Sequence, residues 1–168
     1  MRCVISGRPN DSWPQRLLCA GAIGWAVLIP SAAVAAGSAS GAPIVGLLAA
    51  VPYVVGAVIC HQQAARSFAI WSQQLPVCAR CTGIYAGAAV IAVVATFRRL
   101  RHDNPRKVAQ RFSAARTLAF AALPTAATLA YEWSTSTAPS NVIRAIAGFP
   151  LGAAVAWVIL SAVDDQVN

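Results

Sequence analysis

The sequence predicts an all-α fold: an integral membrane helical bundle with four to five transmembrane helices. Three observations lead there. Only 11% of the 168 residues are charged, where about 25% is usual in a soluble domain, and the mean hydropathy is +0.61. Not one Asp, Glu, Lys or Arg lies between Leu17 and Ala65, a stretch long enough for two membrane crossings at about 20 residues each. No stretch reads as a strand ladder, and long apolar runs satisfy their backbone in lipid as helices. The length suits one domain.

Taken in order, residues 1–16 form a polar tail with Arg2, Arg8, Arg16, Pro9 and Pro14. The first apolar segment, 17–36, reads as a helix. Its basic lead, apolar centre and Ala33-Val34-Ala35 motif also have the shape of a secretory signal. The long basic lead and the small-residue runs found throughout the chain favour a retained helix. Gly37 to Gly41, followed by Pro43, breaks the run. A second segment follows from Ile44 to Cys60, where Pro52 predicts a kink rather than a break. The third runs from Cys81 to Phe97. The basic loop 98–116 has seven Lys or Arg against the single Asp103. Leu118 to Trp133 is a fourth segment interrupted by Pro124, and Val142 to Val163, with Arg144 near its start, is the last. Residues 44–163 make up the membrane domain. Gly83-x3-Gly87 and Gly148-x3-Gly152 read as packing positions where backbones approach closely.

A net charge of +8 would suggest nucleic acid in a soluble protein. Here most basic residues flank apolar runs, where they set topology and touch anionic headgroups. No aromatic-basic groove accompanies them, so the expected partner is the lipid bilayer, not nucleic acid. Loop 98–116 is expected to be cytoplasmic in a multi-pass protein of the cell membrane. With five crossings that assignment puts the arginine-bearing amino terminus outside, a conflict with the same rule. The loop is taken as the stronger signal.

The chemistry concentrates between Cys60 and Gly87, which hold three of the five cysteines and one of the two histidines. Cys60 and His61 end one apolar segment, and Cys78-Ala79-Arg80-Cys81 opens the next. If the two are antiparallel neighbours, their ends meet at one membrane face. Cys60, His61, Cys78 and Cys81 are then the candidate ligands of a metal, zinc foremost. Adjacent residues point roughly 100° apart on a regular helix, so joint ligation by Cys60 and His61 needs an unwound turn. The alternative is a thiol redox pair at Cys78 and Cys81, activated by Arg80 and a helix amino terminus, with Cys60 resolving. A third reading makes the thiols structural. Arg66 and Arg80 predict an anion site, since guanidiniums recognise phosphate and carboxylate bidentately, and Gln62, Gln63, Gln73 and Gln74 add amide donors. Phe68, Ile70, Trp71 and Leu75 are expected at the interface or in a re-entrant segment. Glu132 and Arg144, at segment ends across a short loop, predict an ion pair. Glu132 is the alternative proton carrier or general base.

Cys60-His61-Gln62, Arg66-Ser67-Phe68 and Leu75-Pro76-Val77-Cys78-Ala79-Arg80-Cys81-Thr82-Gly83-Ile84-Tyr85-x-Gly87 resemble the signature of the DUF2085 family of small membrane proteins. Pro124 and Asn141-x2-Arg144-x3-Gly148-x3-Gly152 are similar to its second block. Family members often carry Asp-Gly and Gln after that proline, where this chain has Thr128-Leu129 and Glu132. The resemblance covers roughly 60–152. It implies a multi-pass membrane protein with a Cys/His/Arg site, and it supplies no reaction.

The leading expectation is therefore a membrane protein that binds a metal at Cys60, His61, Cys78 and Cys81. Beside it lies an anion-binding surface of Arg66, Arg80, Arg144, Gln62 and Asn141, suited to an anionic or phosphorylated small molecule or a lipid-like substrate. The alternatives are a membrane thiol oxidoreductase or redox sensor, and a carrier or accessory subunit with structural cysteines. Candidate catalytic groups are Glu132, Cys78 and Cys81.

Overall fold

Every backbone N–H and C=O inside hydrocarbon must find a partner within the protein, and the apolar segments of this chain do so as α-helices. The computed structural model describes residues 13–37, 43–100 and 113–167. Arg2, Arg8, Cys3, the break at 38–42 and most of the basic loop, His102 included, lie outside the described residues. The helices are α1 (Trp13–Gly37), α2 (Pro43–Ile59), α3 (Ala79–Leu100), α4 (Ala114–Thr135) and α5 (Asn141–Val167). Pro30, Pro52, Pro124 and Pro150 all lie inside helices that continue past them. Pro124 therefore does not divide the fourth segment. Among the described residues, three helices are long and apolar enough to cross a membrane: Trp13–Gly37, Ala79–Arg98 and Asn141–Val163. Large apolar side chains stand outward over much of the surface, among them Val58, Trp133, Leu47 and Phe120. Such a face is stable against lipid and not against water.

The contacts fix the directions of the helices. Trp25 meets the Tyr85 ring edge-on at 6.0 Å, and Cys19 packs with Ala92 and Leu160, so α1 runs antiparallel to α3. The Thr125 hydroxyl donates to the Ala147 carbonyl at 2.8 Å and Glu132 meets Arg144, so α4 and α5 are antiparallel. Helices α3 and α5 run parallel and touch through glycine. A Cβ at Gly83 would strike the Ala145 carbonyl, one at Gly87 the Phe149 carbonyl, and one at Gly152 the Ile84 carbonyl. The two GxxxG motifs thus pack on each other within one chain.

One end of the bundle therefore gathers the carboxyl ends of α1 and α4 and the amino ends of α3 and α5. The carboxyl end of α2 reaches the same end, because Cys60 packs with Ile29, Ala33, Leu75 and Val77. Two successive helices, α1 and α2, thus deliver their carboxyl ends to one side. Exposed Arg16, Arg98 and Arg116 belong to the opposite end, at the start of α1, the end of α3 and the start of α4.

Between α2 and α3 the chain folds into a cap. A two-residue antiparallel pair, β1 (Ala69–Ile70) with β2 (Gln73–Gln74), is an element the sequence did not announce. Its turn residues Trp71 and Ser72 have φ of 49° and 65°, the positive sign that a type I′ turn requires. Gln62, also at positive φ, ties the cap down: its Nε2 donates to the Tyr53 and Pro76 carbonyls, each at 2.8 Å. Gly56 permits this approach, since a Cβ there would meet Gln62 Nε2 at 2.6 Å and the Pro76 carbonyl. The Tyr53 hydroxyl donates to the Gln74 carbonyl at 2.6 Å, and Gln74 Nε2 to the Gln62 carbonyl at 2.6 Å.

Gly152→Val should cost about 1–3 kcal/mol by overpacking the α3–α5 contact, read as a lowered thermal midpoint in detergent. Gly46→Ala, with nothing within 4 Å of its new Cβ, should stay within about 0.5 kcal/mol.

Candidate functional site

Two clusters of reactive side chains form at the capped end, on different stripes of α3. The first is made of thiols. Helix α2 stops at Ile59, so Cys60 and His61 lie in non-helical chain and are spared the angular constraint of a regular helix. Cys78 immediately precedes α3 and Cys81 sits in its first turn, and Cys60 is carried to them by the cap. The three Sγ atoms lie within 4.8 Å of one another, and all three cysteines are free. The Cys78 backbone N–H donates to Cys60 Sγ at 3.2 Å. The hydrogen bond with Cys81 draws the Cys78 thiol well below its ordinary value, to about 5. Burial opposes this, and contacts with Cys60 and Arg80 add to it. His61 is exposed and is not among the groups brought within that 4.8 Å.

The second cluster turns on Glu132, the only glutamate in the chain and 8% exposed. Its Oε1 accepts from Arg144 Nε at 2.9 Å and Arg80 Nη2 at 3.1 Å, and its Oε2 faces Arg66 Nη1 at 3.5 Å. The expected ion pair with Arg144 is thus one of three. Each arginine comes from a different place: Arg66 from the cap, Arg80 from α3, Arg144 from the first turn of α5. Their side chains are 47%, 17% and 2% exposed respectively. Asn141 accepts weakly from Arg144 Nη1 at 3.4 Å and donates from Nδ2 to the Ser67 carbonyl at 3.0 Å, which ties α5 to the cap. Gln62, by contrast, directs its amide group at the Tyr53 and Pro76 carbonyls.

Sequence reasoning named Thr128 only as a departure from the family pattern and gave it no role. Its hydroxyl accepts from Arg80 Nη2 at 3.2 Å and donates to the Thr125 carbonyl at 2.9 Å, which steers the guanidinium toward Glu132. The available signal was its place four residues before Glu132, on the same helix face. It likewise gave no role to Ser67, which is 6% exposed and whose carbonyl anchors Asn141.

Residues 60–158 match the DUF2085 family, described as predicted membrane proteins. An uncharacterized protein of Methanocaldococcus jannaschii is 33% identical over 108 residues, which are 64% of this chain and 65% of that protein. The match thus spans just under two thirds of the relative's length. No solved structure matches. The matched region contains both clusters and leaves out α1, all of α2 and the last residues of α5.

In metal-free protein, alkylation of Cys78 should stay near its maximum through neutral pH and fall to half only near pH 5, because a lowered value keeps the thiolate present. Mass spectrometry of the Cys78 peptide across a pH series checks this. Glu132→Gln should destabilise the protein by about 3–5 kcal/mol by leaving buried guanidiniums without their counter-ion. Arg66→Gln should cost only about 0–1 kcal/mol, as a half-exposed partner does. Thermal midpoints of the purified variants separate the two.

Proposed function

The chain belongs to the DUF2085 family of predicted membrane proteins, and on that footing we propose that it carries a metal-binding thiol site beside an arginine anion site. The observation that carries this reading is the convergence of three free thiols within 4.8 Å. Zinc–thiolate bonds of about 2.3 Å set sulfurs roughly 3.8 Å apart in a tetrahedron. The cluster reaches that spacing by a contraction of about 1 Å at its widest. A zinc here would be held by Cys60, Cys78 and Cys81, and His61, which follows Cys60 in non-helical chain, would complete the four-ligand set. A bound zinc would supply Lewis-acid polarisation there. The chain's own contribution is the anion site of Arg66, Arg80 and Arg144, positioned by Asn141 and Thr128, with a lipid-like or phosphorylated molecule as substrate.

The same reading has four crossings, the three long apolar helices α1, α3 and α5 together with α4, whose 22 residues are long enough though less apolar, with α2 entering and leaving on one side. If α2 crossed as well, the chain would have to return from Gly37 to Pro43 across about 30 Å of hydrocarbon, whereas six residue steps reach only about 20 Å. With four crossings, the start of α1 and the basic loop fall on the same side. The positive-inside rule is then satisfied at both places, and the conflict raised by five crossings disappears. Both clusters stand at the extracytoplasmic face.

A second reading draws support from the lowered Cys78 thiol. Cys78 and Cys81 would exchange with a partner disulfide, forming their own disulfide while the partner's two sulfurs leave as thiols.

Protein purified without chelator should contain stoichiometric zinc, which Cys60→Ser, Cys78→Ser and Cys81→Ser each remove and His61→Ala weakens. Elemental analysis with thiol mapping decides. Metal-free protein in which Cys78–Cys81 cycles between thiols and disulfide would sink the zinc reading in favour of the redox one. Reporter fusions after Asn104 and at the carboxyl terminus should lie in the cytoplasm, and one within 134–140 outside it.

A further inference from the structure

We propose that the Arg66–Arg80–Arg144 cluster takes a doubly charged phosphate monoester in preference to singly charged anions. This rests on the anion site proposed above and narrows its ligand. The first ground is charge. Three guanidiniums face one carboxylate, Glu132, within 3.5 Å, and arginine does not lose its proton in proteins. The cluster therefore keeps two positive charges. Arg144 is 2% exposed and Arg80 is largely covered, so water compensates them poorly, and uncompensated buried charge costs several kcal/mol. The ligand that brings the site to neutrality carries two negative charges. A phosphate monoester carries about −1.5 to −2 at pH 7, whereas a phosphodiester or carboxylate carries one.

The second ground is independent of the charge count. Arg144 Nη2 and Arg80 Nε are buried and have no hydrogen-bond partner among the described residues. Buried guanidinium N–H groups left unpaired are expensive, and both belong to the side chains that grip Glu132. A tetrahedral phosphate monoester offers three acceptor oxygens, enough to engage both and still meet Arg66. The helix ends act in the same sense: α3 and α5 both begin here, with no acidic residue in either first turn, and their amino termini favour an anion.

Entry falls to Arg66. It holds Glu132 by the longest of the three contacts, 3.5 Å, and is the most exposed of the three arginines at 47%. It sits on a single 3-10 turn, Ala64–Arg66. Its swing away from Oε2 opens the cluster without disturbing the Arg80 and Arg144 bonds to Oε1. Apolar Trp133, Val142, Ile143 and Ile146 are exposed on the adjoining turns of α4 and α5. The site is thus open to a soluble ester from the aqueous side and to a lipid headgroup whose chains lie along those helices, and the test separates the two.

The full-length protein in phosphatidylcholine nanodiscs is titrated calorimetrically with inorganic phosphate. In parallel, nanodiscs doped with phosphatidic acid, a monoester, or with phosphatidylglycerol, a diester, are compared for retained lipid by native mass spectrometry. Inorganic phosphate or phosphatidic acid should bind at least about tenfold more tightly than phosphatidylglycerol. Binding of inorganic phosphate assigns a soluble ester, and retention of phosphatidic acid alone assigns a lipid headgroup. Either result upholds the proposal. Arg66→Gln, at the exposed position, should lower that affinity about tenfold with circular dichroism and elution volume unchanged. Arg144→Lys, which keeps the charge and loses the planar fork, should lower it as well. Retention of phosphatidylglycerol equal to phosphatidic acid overturns the dianion assignment and leaves an anion site standing. No binding in any arm overturns both. Wild-type affinity in both variants places the binding elsewhere and overturns the proposal.

Discussion

No side chain separates α3 from α5 where they cross, and much else depends on that contact. Gly83, Gly87, Gly148 and Gly152 let the two backbones meet. In lipid this gains dispersion contacts that longer side chains would forfeit, and dispersion is a principal force between helices there. Because the helices run parallel, their amino ends finish side by side. Arg80 and Arg144, one turn or less into each helix, are thereby brought to the same carboxylate. A wider or antiparallel crossing would leave two buried cations with no shared partner.

That carboxylate makes the arrangement tolerable and incomplete at once. Glu132 neutralises one of the three positive charges that converge on it and fixes their geometry. Thr128 and Asn141 orient the guanidiniums through hydrogen bonds. Nothing within the described residues meets the two remaining N–H groups. A buried polar network that is only partly satisfied is costly, and proteins concentrate such costs at functional places.

How much of this was legible follows from which forces act locally. Lipid allows a long apolar segment few conformations other than a helix, so the helix borders fall within a few residues of the apolar borders even where proline intervenes. The thiol cluster was half visible: Cys78 and Cys81 are paired by their spacing, whereas the meeting with Cys60 depends on the cap. That cap was opaque because its turn uses Trp71 and Ser72 at positive φ, where Asn-Gly would have been the readable signal. The threefold grip on Glu132 was hidden for another reason. It depends on the relative register of α3, α4 and α5, which the glycine contacts of α3 with α5 and the Thr125–Ala147 bond of α4 with α5 set. The side on which α2 ends was hidden too, because hydropathy reports length and not direction.

The cap has one more consequence. Cys60 and Arg66 are six positions apart in the chain, with the first anchored among the thiols and the second laid on Glu132. A tether that short, pinned by Gln62 and Ser67, has little slack, so a displacement at one anchor is felt at the other. If both clusters bind as proposed, two sites joined in this way would not have separate affinities. Whatever free energy an occupant of the sulfur cluster adds to binding at the arginines, an occupant of the arginines returns in equal measure to the sulfurs.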